Sequence, residues 1–97
     1  MKTKERMYVV IAKLANMLKA TTAISKYGSY IEKLKEDGHF VAAGKWTDNS
    51  GAMLIIRADS IDDADEIVQD DPLIKNGAVT YQIKEWEANF DFEAMEY

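Results

Sequence analysis

The chain contains no cysteine, one histidine and one proline. Without cysteine there is no disulfide, no thiolate nucleophile and no zinc–cysteine centre. A lone histidine, His39, is too little for the ligand sets that transition metals take, so no tightly bound metal or organic cofactor is expected. No glycine-rich phosphate loop, Gly-x-Ser-x-Gly elbow or Ser/His/Asp triad occurs. The acidic run Asp62, Asp63, Asp65 and Glu66 lacks the glycine and spacing of an EF-hand loop and reads as a solvated helix face. Long apolar runs are missing too. The longest near the N-terminus, residues 7–12, is too short for a signal-peptide core or a membrane span. No membrane partner is expected, and a cytoplasmic setting is the default. Positive charge is outnumbered, 12 Lys and Arg against 17 Asp and Glu, and the net charge of -5 disfavours nucleic acid and anionic lipid. Lys2, Lys4 and Arg6 read as a solvated terminus rather than a nucleic-acid arm.

What is present suits one globular domain over residues 1–97, with a core near 7–88 and a tail over 89–97. The hydrophobic fraction of 47% argues against disorder. So short a chain buries only roughly two-thirds of its unfolded surface, which makes any spare apolar sheet face worth covering.

Residues 7–14 are β-branched and aromatic and predict a strand that is apolar on both faces. Residues 15–23 fit either a loop or a short helical turn. From Thr22 the period changes: Ile24, Tyr27, Ile31 and Leu34, with Tyr30, mark one face of a helix over 24–37. Gly38 ends it in a left-handed conformation. Strands are predicted over 39–46 and 52–58, joined by the polar turn residues 47–51 as an antiparallel hairpin. Ser60 caps a second helix over 61–70, with Asp63 at its third position and a buried stripe of Ile61, Ala64, Ile67 and Val68. Asp71-Pro72 stops it. Asn76-Gly77 turns the chain into a last strand over 78–86, where Val79, Tyr81 and Ile83 oppose Thr80, Gln82, Lys84 and Trp86. The order β-α-β-β-α-β is the ferredoxin-like α+β arrangement: a four-stranded antiparallel sheet with two helices on one face. Its other face is predicted to pair with a second copy, giving a homodimer.

The segments Leu34-x-x-x-Gly38-x-Phe40-x-x-x-Gly44, Asp71-Pro72 and Gly77 followed by Tyr81-x-Ile83-x-x-Trp86 occur in a recognisable order. Over about residues 7–88 the chain resembles the YCII-related proteins, a branch of the dimeric α+β barrel superfamily. The resemblance implies a ferredoxin-like protomer, a sheet-to-sheet dimer and a cleft. There a histidine of the first helix sits near the aspartate of the Asp-Pro pair. Some members act on small chlorinated or lactone-like aromatics, and many have no assigned reaction. Asp71 matches the aspartate. The histidine position, eleven residues before Gly38, holds Tyr27. His39 does not replace it, since it follows the glycine and lies on a strand. The His–Asp dyad is therefore missing.

Asp71 and Tyr27 are the candidate catalytic residues, expected to meet in a pocket between the first helix and the end of the second. Asp71 becomes an acid–base group if burial raises its pKa; otherwise it accepts backbone N–H bonds at the turn. Tyr27 is either core or a hydrogen-bond donor paired with Asp71. Gly28, costly inside a helix, suggests a close approach of backbone or ligand. His39 is expected to be exposed and neutral in role. Trp46, Trp86, Phe90, Phe92 and Tyr97 suit an interface or a pocket. Two functions compete: a non-catalytic dimeric module binding a small apolar or aromatic ligand, and an acid–base isomerase, lyase or dehalogenase-like enzyme using Asp71 and Tyr27. The missing histidine favours the first. The sequence leaves open whether the chain is an enzyme.

Overall fold

The computed structural model describes residues 6–88. Lys2 and Lys4 at one end, and Phe90, Phe92 and Tyr97 at the other, lie outside the described residues. The elements run β1 (Arg6–Leu14), α1 (Met17–Glu36), β2 (Phe40–Lys45), β3 (Gly51–Ala58), α2 (Ile61–Gln69), α3 (Pro72–Lys75) and β4 (Val79–Trp86). The strands form one sheet in the order β2-β3-β1-β4, antiparallel throughout. This is the ferredoxin-like βαββαβ fold.

Strand alternation decides which residues meet the helices. Tyr8 and Val10 of β1 share a face with Leu54, Ile56 and Ala58 of β3. These pack against Tyr30 and Leu34 of α1 and Ala64 and Val68 of α2. Each large side chain buried here is worth about 1.5–3 kcal/mol. On β4, Val79, Tyr81 and Ile83 join this face, while Thr80, Gln82 and Lys84 are exposed. The opposite face carries Val9 and Ile11 of β1, Met53 and Ile55 of β3, and Trp86 paired with Met7.

The local signals act as their chemistry dictates. Gly38 adopts φ 81°. The amides of His39 and Gly38 bond back to the carbonyls of Leu34 at 2.9 Å and Lys35 at 3.1 Å, a Schellman closure of α1. The Asp63 amide donates to Ser60 Oγ at 3.1 Å, capping α2. In the β2–β3 turn Asn49 takes φ 64°, and the Ser50 amide donates to Asp48 Oδ1 at 2.9 Å.

Four expectations change. Helix α1 begins at Met17, not near Ile24. Asn16 caps it by accepting from the Lys19 amide at 3.0 Å, and the hydroxyls of Thr21 and Thr22 donate to the carbonyls one turn back. Its first turns border open space rather than core: Met17, Ala20 and Ile24 recur at helical spacing, yet Met17 and Ile24 are 59% and 56% exposed. Ile61 is likewise 48% exposed at the open end of α2. After Asp71 the chain makes one more helical turn, α3, because Pro72 is preorganised for a first helical position. Around Gly28 there is open space where a Cβ would stand, so no close approach of backbone explains that glycine.

Candidate functional site

The helix-facing side of the sheet thins from one end to the other. One cross-strand row carries Phe40, Ile56 and Tyr8, and the next Ala43, Leu54, Val10 and Ile83. The third carries Lys45, Ala52, Ala12 and Tyr81. Protein interiors are close-packed, so substituting alanine methyls for large side chains opens space unless the helix descends to fill it. Helix α1 does not fill it. Its N-terminal half offers Met17, Ala20 and Ile24, while α3 supplies Leu73 and Ile74 along one wall. The result is a cleft of about 640 Å³, lined mainly by apolar side chains. That is within the range of small-molecule sites.

Tyr27 and Asp71 both line this cleft. Asp71 is 6% exposed. It caps α3, with Oδ1 accepting from the Leu73 amide at 2.8 Å. Burial raises its carboxyl pKa above the usual range, and the amides of Leu73 and Ile74 oppose that rise. Tyr27 is half-buried, and its phenol is pushed up to about 12, first by burial and then by the charge of Asp71. The rings of Tyr27 and Tyr30 lie 6.0 Å apart in a tilted pair. The Tyr30 hydroxyl donates to the Ile67 carbonyl at 3.0 Å. Burial, followed by Asp71, Tyr27 and Asp70, raises its phenol as well. The cleft thus brings the two sequence-predicted residues into electrostatic contact. No hydrogen bond joins them among the described residues. Asp71 spends one oxygen on the backbone, and Tyr27 is a phenol that stays protonated at neutral pH.

His39 does not line the cleft. It is half-buried rather than exposed, and its Nδ1–H donates to the Arg57 carbonyl at 3.0 Å. It borders a smaller hollow of about 360 Å³ with Asp37, Arg57, Asp63 and Glu66. Among the described residues no group of His, Asp and Glu could hold a metal ion.

Sequence reasoning passed over two features of the cleft. The first is its alanine floor. Alanine is disfavoured in strands, so Ala12, Ala43 and Ala52 at inward positions were a readable sign of missing volume. The second is Lys45, which lines the mouth beside Asn49 and donates from Nζ to Asn49 Oδ1 at 3.2 Å. Its inward place on β2 follows from strand alternation only once the bulge between Phe40 and Ala42 is known.

Residues 7–87 match the profile of the YCII-related domain. The uncharacterized protein YjpA of Bacillus subtilis (strain 168) is 30% identical over 64 residues, 66% of this chain and 75% of its own length. Among solved structures, 5-chloro-2-hydroxyhydroquinone dehydrochlorinase (TftG) from Burkholderia phenoliruptrix AC1100, in complex with 2,5-dihydroxybenzoquinone, is similar at a TM-score of 0.72. The match has 21% identity and covers 86% of this chain and 95% of that one. At that identity the likeness speaks for the fold.

Proposed function

This chain belongs to the YCII-related domain family, and on that premise we propose that it binds a small apolar or aromatic molecule in the cleft above Ala12, Ala43 and Ala52, without the His–Asp dyad that the family resemblance implies. The observation that carries this reading is the cleft of about 640 Å³, apolar on most of its surface with Tyr27 and Asp71 set in its wall. The dehydrochlorinase of similar fold was solved with 2,5-dihydroxybenzoquinone, a small planar ring compound, bound, which adds support. The protein works as a homodimer joined through the sheet face of Val9, Ile11, Met53 and Ile55, since a small domain gains from covering such a face. The test is thermal-shift screening against small aromatics and quinones, hydroquinone and 2,5-dihydroxybenzoquinone included. Ligands that bind the folded state raise its midpoint with concentration. The rise is expected in the native chain and not in Ala52→Leu, whose side chain fills the floor. No response to any aromatic at millimolar concentration overturns the reading.

A second reading, acid–base catalysis by Asp71 and Tyr27, draws on the raised carboxyl pKa of Asp71. Two facts weigh against it. The Leu73 amide already engages Asp71 as a helix cap. A phenol pushed up to about 12 does not exchange protons near neutral pH as an imidazole does. Turnover of a bound aromatic that Asp71→Asn abolishes, in a variant that still folds, would reverse this preference.

A further inference from the structure

The polar groups of the cleft are divided by charge, and this bears on which ligands fit, given the binding reading above. Along one wall stand Asp71 and Tyr27: a buried carboxyl and a protonated phenol. At the mouth stand Lys45 and Asn49. Among the described residues the Lys45 ammonium has no carboxylate partner; its hydrogen bond goes to the neutral Asn49 amide at 3.2 Å. An ammonium carries three N–H donors, so most of its capacity stays available. Asp48, in the same turn, is engaged instead by the Ser50 amide at 2.9 Å. Lys45 therefore stands as a positioned cation on a chain whose net charge is -5.

The floor between fits a planar ring. Lys45, Ala52 and Ala12 occupy neighbouring strands of one row. Crossing two strand spacings covers about 10 Å. Alanine methyls at Ala52 and Ala12 leave a flat apolar surface, with Met17 and Ile24 of α1 at its rim. A ring lying there directs one substituent to Lys45. An anionic substituent is attracted at that end and repelled by Asp71 along the wall, where a neutral hydroxyl can hydrogen-bond.

We propose that the cleft selects hydroxylated aromatic acids, with the carboxylate held by Lys45 and the hydroxyl placed toward Tyr27 and Asp71. The test compares three ligands that share one ring: 4-hydroxybenzoate, 4-hydroxybenzyl alcohol and 4-hydroxybenzylamine. Each is titrated by NMR at pH 7 into the native chain, Lys45→Met and Lys45→Arg. In the native chain the acid is expected to bind at least tenfold tighter than the alcohol, with the amine weakest. The preference should shrink as salt is raised. Lys45→Met should bring the acid level with the alcohol, and Lys45→Arg should keep the preference. An alcohol that binds as well as the acid, or a preference that survives Lys45→Met, overturns the inference and leaves the cleft reading intact. So does a failure of all three ligands while other aromatics still raise the thermal midpoint. Failure of every aromatic removes both.

Discussion

Replacing Asp71 by alanine and by asparagine separates the two things its carboxylate does. One is mechanical: Oδ1 accepts from the Leu73 amide at 2.8 Å and starts α3. The other is electrostatic: the group is 6% exposed, and its charge lacks the water it would have in the unfolded chain. Alanine removes the acceptor and should cost about 1–2 kcal/mol, the range for losing a helix cap. Asparagine keeps an oxygen in place and caps as well as aspartate, but carries no charge. It should fall within about 0.5 kcal/mol of the native chain or exceed it at pH 7. The pH dependence follows from the raised carboxyl of Asp71. Between the unfolded pKa, about 3.9, and the higher folded value, the native state binds more protons than the unfolded one. Stability from this group is then full below the unfolded pKa and declines as pH rises through the folded one. The asparagine variant has no such titration, so its advantage over the native chain should grow with pH across that window and level off above it. Urea unfolding of all three proteins from pH 3 to pH 7 measures this. An alanine variant as stable as the native chain would refute the capping role. An asparagine advantage that shrinks as pH rises would show that the folded state stabilises the charge, and would refute the account of burial.

Tyr8 is fully buried and its hydroxyl lacks a hydrogen-bond partner among the described residues, so Tyr8→Phe should raise stability by about 1 kcal/mol in chemical denaturation; a loss would reveal a partner. Gly28 lies within α1 with open space around its Cβ position, and Gly28→Ala should stabilise by up to about 1 kcal/mol in the same assay. The phenols of Tyr27 and Tyr30 are both raised, so their contribution is full below about pH 10 and is lost as pH rises through the folded values. Phenolate absorbance should show these two tyrosines ionising late, Tyr27 near pH 12, with Tyr81 also raised by donating to Asp65, and normal titration of all five would contradict the burial. Ile11, paired with Met53 and Gln82 on the open sheet face, should be central to the dimer. Light scattering is expected to give a dimer mass for the native chain and a monomer for Ile11→Lys, and a native monomer at micromolar concentration would dismiss the interface.

The element order was legible because local chemistry decides it. Strand alternation, the Ser60 cap and the glycine at position 38 act through near neighbours, and each does in the fold what its residue type implies. Asp71 and Tyr27 could be paired from sequence only through a family resemblance, since they lie 44 positions apart and no local rule joins a helix to a distant turn. Their meeting in one cleft was decided by the packing of α1 beside α3. The start of α1 was partly legible in the spacing of Met17, Ala20, Ile24 and Tyr27, but it was masked by the exposed Leu18 and by the β-branched pair Thr21 and Thr22, whose helix propensity is low. The inward place of Lys45 belongs to tertiary structure, and the alanine floor was legible in sequence only as missing volume, not as a cavity. A strand pattern tells which residues share a face, but the bulge between Phe40 and Ala42 resets that pattern on β2. Whether a small residue leaves a cavity depends on how far the facing helix stands off. Sequence specified the sheet and its caps; the distance between α1 and the sheet made the site.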